Sequence, residues 1–351
     1  MQRGPLTFLK KLLTTPTVSG HETTGQRLWI DYVRKFADEV TVDSYGNAIA
    51  VLKPQSKTKV VIDGHIDEIG MVVKHITDGG FIHVQQVGGV NPALLRAKRV
   101  DIHTARGPVR GVFGHSGIGN AKNDPKMHEL FIDIAAKDSK EANRKVAVGD
   151  PVTLVDDFEI INRQVAVARA FDDRIGAWVA AETIRRLASA RARLRCSVIA
   201  TSSVQEEVGL RGASMNVFNI RPHVFFAVDV THATDTPGIN RQQHGKTAIG
   251  DGPTIQLGRE NHPVLTKMLR NIAKRKKIPV QVEAFLTIGA TNAIPAYSTA
   301  GDTPSAVVSI ATRYIHTATE MIDLRDADRA ADLLKEFCLS VKAGQKFKVR
   351  V

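Results

Sequence analysis

Five short stretches of the chain each combine an apolar run with side chains able to bind a divalent cation. Val60-Val61-Ile62 leads into Asp63, Gly64, His65, Ile66, Asp67 and Glu68. Val165-Ala166-Val167 precedes Asp172 and Asp173, which open an expected helix. Ser197-Val198-Ile199-Ala200 runs towards Glu206 and Glu207; residues 224–228 end at Asp229; residues 306–310 run on to Tyr314-Ile315-His316. In open α/β sheets, sites form outside the carboxyl ends of strands, so these groups could converge. Imidazole and carboxylate without thiolate form a donor set for zinc, cobalt or manganese, not for an iron–sulfur cluster. Two histidines and three or four carboxylates suffice for two ions sharing one bridging carboxylate. Ions roughly 3.5–4 Å apart clamp both the attacking and the leaving oxygen of a hydrolysis.

Spacing within the clusters adds roles. In extended backbone, His65 and Asp67 point to the same side, so Asp67 could orient the imidazole. Adjacent Glu206 and Glu207 would point apart, leaving one to ligate and the other free as a general base. Neighbouring carboxylates on one strand do not offer the facing pair about 5–5.5 Å apart that a retaining glycosidase needs. Plainer readings stand beside these. Asp172 and Asp173 could cap the helix they open, Glu206-Glu207 could be an exposed loop pair, Asp229 a strand-end turn, and His65 a hydrogen-bonded core residue. Five clusters at five strand ends argue together for a site.

The elements expected to carry these groups change in texture along the chain. Residues 5–36 look helical, with Leu9, Leu12 and Leu13 on one face, and short strands follow at 47–52 and 59–62. From about Val72 to Arg163 the chain is strand-rich and punctuated by glycine, as in Gly79-Gly80 and Gly107-Pro108, which predicts a small all-β module. After Ala168, strands alternate with helices, the signature of a mostly parallel sheet flanked by helices. The expectation is an α/β domain of residues 1–71 and 164–351, interrupted by a β-rich insertion over 72–163.

Composition narrows the class. With 351 residues, 43% hydrophobic and 24% charged, the chain can bury a core without disulfides, which excludes disordered, collagenous and small secreted scaffolds. No apolar run approaches the roughly 20 residues of a membrane span, and the first residues lack the apolar stretch of a signal peptide. Cys196 and Cys338, far apart and in no CxxC pattern, read as reduced thiols of a cytoplasmic protein. The net charge of +12 keeps nucleic acid and acidic substrates in view, but 5% aromatics leave few base-stacking platforms. Lys267, Arg270, Lys274, Arg275, Lys276 and Lys277 follow helical spacing opposite Leu265, Leu269 and Ile272, as on a solvated outer face.

Six segments together resemble the M42 family of dinuclear metallo-aminopeptidases, which includes glutamyl and tetrahedral aminopeptidases. They are Ser19-Gly20-His21-Glu22, residues 64–70, residues 170–176, residues 227–231, Arg313-Tyr314-Ile315-His316 and the most specific run, Gln205-Glu206-Glu207-Val208-Gly209-Leu210-Arg211-Gly212-Ala213. The resemblance spans almost the whole chain in order. It implies that Asp172 bridges two divalent ions, that His65 and Asp229 complete one site, and that Glu207 and His316 complete the other. Glu206 would be the general base taking a proton from the bridging water, and Asp67 would orient His65. The implied fold is of the dinuclear zinc-peptidase type, with residues 72–163 as a PDZ-like dimerisation domain and dimers building a hollow dodecamer. Short peptides with a free amino terminus would be the substrates; neither a membrane nor nucleic acid is expected as a partner. Ala290, Asn292 and Ala311 replace a Gly, an Asp and a Pro usual in the family, and residues 114–120 also depart from it; none is an implied ligand. A second reading is a basic binding protein on the same fold with lost or secondary activity. The complete set His65, Asp172, Glu206, Glu207, Asp229 and His316 favours the enzyme.

Overall fold

In the computed structural model, residues 1–115, 124–155, 157–284, 291–299 and 301–351 are described. The chain begins with two helices, α1 (Arg3–Thr14) and α2 (Thr23–Val33). Phe8, Leu9, Leu12 and Leu13 form the buried face of α1, at the 3–4 spacing of a helix side. The single helical stretch expected over 5–36 is therefore two. Between them lies Pro16, which has no N–H to continue a helix, and Val18 instead forms a parallel bridge with Glu68.

Strands β1 (Glu39–Val42), β2 (Ala48–Leu52) and β3 (Lys59–His65) follow. The next six strands close a small barrel: β4 (Gly70–Ile76), β5 (Ile82–Val87), β6 (Arg99–Thr104), β7 (Gly107–Phe113), β8 (Ile132–Asp133) and β9 (Pro151–Leu154), in the order β4-β5-β8-β7-β6-β9. Its core, including Met71, Ile82, Ile102, Phe113, Ile132 and Val152, is separate from that of the rest of the chain. The short helix α3 (Ser139–Lys145) sits between β8 and β9 in sequence. The strand-rich insertion is thus a small closed barrel. Residues 116–120 of the departing segment lie outside the described residues.

Beyond the barrel come β10 (Glu159–Asn162), β11 (Val165–Ala168), the long helix α4 (Phe171–Ala188), β12 (Ser197–Ser203), α5 (Arg211–Ile220), β13 (Val224–His232) and α6 (Arg241–His244). The chain ends through β14 (Thr254–Leu257), α7 (Pro263–Lys276), β15 (Gln281–Ala284), α8 (Ile294–Ser298), β16 (Ser305–Thr312), β17 (Glu320–Asp323) and α9 (Leu324–Ser340). Eight strands form the main sheet in the order β1-β2-β12-β3-β13-β16-β14-β15. Its centre, β12, β3, β13 and β16, is parallel. Those strands are buried along nearly their whole length, as a sheet covered on both faces requires. Alternate residues serve opposite layers: Val60, Ile62 and Phe226 join the core that includes residues of α1, α4 and α9, while Val61 and Phe225 pack with residues of α5 and α8.

One expected strand belongs elsewhere. β11 pairs antiparallel with β10 and β17 in a separate three-stranded sheet. Its alternating half-burial suits a sheet covered on one face, unlike β3. Asp229 also lies within β13, not at its end. Cys196 and Cys338 are free and buried, with the Cys196 thiol 3.6 Å from the Cys338 carbonyl oxygen. Leu265, Leu269 and Ile272 of α7 are buried and its Lys and Arg side chains are exposed, as the spacing predicts. Among the described residues, no helix is long and apolar enough to cross a membrane.

The sheet's site-bearing end rests on one very close contact. A Cβ at Gly64 would lie 2.1 Å from the carbonyl carbon of Gly176 and 2.2 Å from the nitrogen of Ala177. The bare backbone of β3 therefore touches the bare backbone of α4 between His65 and Asp173. Gly64→Ala is expected to force strand and helix apart and to cost about 3 kcal/mol in urea unfolding; a wild-type midpoint would show that the contact is dispensable.

Candidate metal centre

Five different parts of the chain deliver the expected donors to one place. His65 ends β3, Asp172 and Asp173 start α4, Glu206 and Glu207 occupy the turn after β12, Asp229 lies in β13, and His316 sits in the loop from β16 to β17. The Nε2 atom of His65 is 3.3 Å from Asp172 Oδ1 and 3.8 Å from Glu206 Oε2. The Nε2 atom of His316 is 3.2 Å from Asp172 Oδ2 and 3.4 Å from Glu207 Oε1. Asp172 thus turns one oxygen to each histidine. Three overlapping sets, each with donor atoms within 4.8 Å of one another, cover the cluster: Asp172, Glu207 and His316; His65, Asp173 and Asp229; and His65, Glu206 and Glu207.

The second oxygen of an acid, or its backbone, explains how each donor is held. Asp67 faces the other side of the His65 ring, with the ring Nδ1 3.1 Å from its carbonyl oxygen and 3.4 Å from its Oδ1. It also accepts the N–H groups of Glu206 (3.0 Å) and Glu207 (3.2 Å) and the hydroxyl of Ser19 (2.6 Å). Asp67 therefore fixes the glutamate turn as well as the imidazole. The two glutamates do not point apart as extended backbone would require. β12 ends at Ser203 and Gln205 takes a left-handed φ of +56°, so extended geometry does not reach the pair, and both carboxylates come to His65.

The capping reading holds for Asp173, while Asp172 turns to the histidines. Asp173 accepts the N–H of Gly176 at 3.0 Å, as an acid at a helix start does, and the N–H of His65 at 3.1 Å. Asp172, with a non-helical ψ of 106° and a cis peptide to Asp173, faces the histidines.

Three features were not singled out from sequence. Asp173 was seen only as half of a pair. Glu320, four residues after His316, follows no apolar run, and its carboxylate reaches the site through backbone N–H groups. The turn Gly88-Gly89, after β5 of the barrel, leans on the centre: a Cβ at Gly89 would fall 2.6 Å from His316 Nδ1, and one at Gly88 3.2 Å from Glu207 Cβ. A glycine pair between strands signals a turn but not what the turn touches. Asn292 donates to Asp63 Oδ2 (2.7 Å) and Ser203 Oγ (2.9 Å), outside the donor cluster. Ala290 lies outside the described residues, and Ala311 is buried in β16.

Burial and like charge dominate the electrostatics. Burial, then Asp172, pushes the Asp229 carboxyl up to about 7. Burial also lifts Glu206 well above the ordinary range, reinforced by Asp229, Glu207 and Asp172 and opposed by His65. The carboxylates of Asp172 and Glu207 raise His316 to about 11. Burial works against a charged His65, yet Glu206, Asp172 and Asp67 hold it well above its usual value. Glu207 Oε1 is buried, with His316 Nε2 3.4 Å away and no hydrogen bond from the described residues. A crowd of acids held up by burial and two imidazoles without thiolate fit divalent cations. A cavity of about 260 Å³ opens beside Asp172 and His316, walled by Ile69, Met71, Val90, Leu95 and Leu154 among others.

A parallel-centred α/β sheet with two histidines and a cluster of carboxylates at its strand ends is the arrangement of a metal-dependent hydrolase. The chain belongs to the M42 peptidase family, its residues 46–333 matching the family described as M42 glutamyl aminopeptidase, and it is by that membership a peptide hydrolase. A putative aminopeptidase of Acetivibrio thermocellus is 34% identical over 332 residues, covering 94% of this chain and 97% of the relative. A lysyl aminopeptidase of Pyrococcus furiosus is 32% identical over 345 residues, covering 95% and 97%. The solved TET aminopeptidase from a marine sediment archaeon of the Thaumarchaeota is similar at a TM-score of 0.91 and 31% identity, with 97% of each chain covered. The Pyrococcus horikoshii TET1 peptidase, which can assemble into a tetrahedron or a large octahedral shell, is similar at a TM-score of 0.86 and 27% identity, covering 96% of this chain and all of that one.

The raised acids set a pH dependence. Asp229 has an ordinary value of 3.8 and a folded value of about 7, so the folded chain binds this proton more tightly than the unfolded chain. Stability without cations should therefore fall as pH rises from about 4 to about 7. A divalent cation replaces the proton, so the melting-temperature gap between cation-loaded and stripped protein is expected to widen over that window. A constant gap would mean that these acids do not bind the ion.

Proposed function

We propose that the chain is a dinuclear metal-dependent aminopeptidase that removes N-terminal residues from short peptides. The observation that carries this reading is Asp172, whose two oxygens face two histidines, each flanked by a glutamate. In it, Asp172, His65 and Asp229 hold one ion, and Asp172, Glu207 and His316 hold the other. Two divalent cations there, zinc, cobalt or manganese, would supply Lewis acidity to a peptide carbonyl and to water. The protein's own groups do the rest. Glu206, buried with its Oε2 3.8 Å from His65 Nε2, is placed to take the proton of the attacking water and return it to the departing amine. Asp67 keeps the His65 ring and the Glu206 backbone in register. The apolar walls of the adjoining cavity would shield a bound peptide from bulk water.

In the same reading, residues 1–71 and 164–351 form the catalytic domain and residues 72–163 a PDZ-like dimerisation domain. The shell-forming habit of the Pyrococcus horikoshii relative supports dimers that build a dodecamer, and the buried free thiols suit a cytoplasmic location. The preferred residue is open to a broad panel: the family description names glutamyl and one relative lysyl specificity.

The test is hydrolysis of unblocked and N-acetylated aminoacyl-p-nitroanilides after chelation and after adding back zinc, cobalt or manganese. Restored activity confined to free amines is expected; no turnover despite two bound ions would overturn the proposal. Glu206→Gln should lower kcat by roughly 10²–10⁴-fold while elemental analysis still finds both ions. His65→Ala and His316→Ala should each lose bound metal, and full stoichiometry would remove them from the ligand set.

A further inference from the structure

We infer that Glu320 is a positioning residue that ties the two histidine-facing halves of the centre together through their backbones, an inference that rests on reading Asp172 and His316 as ligands. Glu320 starts β17, opposite Ala168 of β11 in the antiparallel ladder, and its side chain is buried. Its Oε2 accepts the N–H of Asp172 at 3.0 Å and its Oε1 accepts the N–H of His316 at 2.9 Å. One carboxylate thus spans the start of α4 and the loop between β16 and β17. Those are the two segments whose side chains meet at 3.2 Å across the centre.

The arrangement answers a local need. His316 sits at φ +62°, a conformation that a residue with a Cβ holds only when its surroundings over-determine it. The loop is closed at its base, where Arg313 and Met321 exchange both backbone hydrogen bonds (3.0 and 3.1 Å). Glu320 adds a hold within the loop, at His316 itself. Asp172, at its non-helical ψ, has its N–H outside the helix ladder and gives it to the same side chain. A group doing this must offer two acceptors. A glutamine offers one, and turns its NH₂ against the other N–H; an aspartate is one methylene too short to reach both.

The experiment measures zinc binding to the stripped full-length protein by competition with a chromophoric chelator, together with melting of the stripped protein. In Glu320→Gln, the ion shared by Asp172, Glu207 and His316 is expected to bind about 10–100-fold more weakly. The other ion, which shares Asp172 but not His316, should weaken less, and the stripped melting temperature should change little. Glu320→Asp keeps the charge and shortens the reach; it should weaken the same ion, and it stands in for Glu320→Gln if that variant does not fold. Wild-type affinities in either variant would overturn the inference. So would equal weakening of both ions accompanied by a lower stripped melting temperature, the mark of a purely structural residue. Wild-type protein that binds fewer than two ions would overturn the underlying two-ion reading instead, and is seen without any variant.

Discussion

Acidic side chains do not gather in a protein interior unless something compensates them. Here Asp67, Asp172, Asp173, Glu206, Asp229 and Glu320 are all buried around one end of the main sheet. Taking a carboxylate out of water without partners is costly, and placing several together multiplies the cost. Much of the surrounding structure distributes that burden. Asp67 collects two backbone N–H groups and a hydroxyl, Asp173 two backbone N–H groups, and Glu320 two more. The remaining oxygens, on Asp172, Glu206, Glu207 and Asp229, look towards the histidines or one another. The backbone supplies what dipoles can supply, and leaves a deficit of positive charge where the cations belong.

Holding those dipoles in place requires a rigid frame. Close contact of β3 with α4 at Gly64 and Gly176 sets His65 against Asp173. Below it, Arg174, fully buried, donates to Glu68, to Thr17 and to the carbonyls of Leu12 and Leu13 at the end of α1. Arg169 adds a second cation 3.3 Å from Glu68. A buried ion pair is tolerable when its remaining donors are satisfied, and here they also occupy helix-end carbonyls that lack partners of their own. The loop that carries Asp67 is thereby bound to both α1 and α4.

The gathering of these side chains was legible in sequence because apolar strands announce their own ends. His65, Asp172, Glu206, Glu207, Asp229 and His316 all stood near such ends, and the structure brings them together. What escaped was information that strand patterns do not hold. A four-residue apolar run does not say which sheet it joins, and β11 lies in the three-stranded sheet apart from the main one. The orientation of Glu206 and Glu207 followed from where β12 ends, at Ser203, before the extended geometry reaches them. Glu320 and Gly89 act across long stretches of chain, one through backbone N–H groups and the other through the absence of a side chain. Neither kind of contact leaves a periodic trace.

The Gly88-Gly89 turn belongs to the barrel, yet it abuts Glu207 and His316. A module set apart by its own core therefore shares a wall with the chemistry. A shift of the barrel at this turn would meet the Glu207 side chain and the His316 imidazole directly.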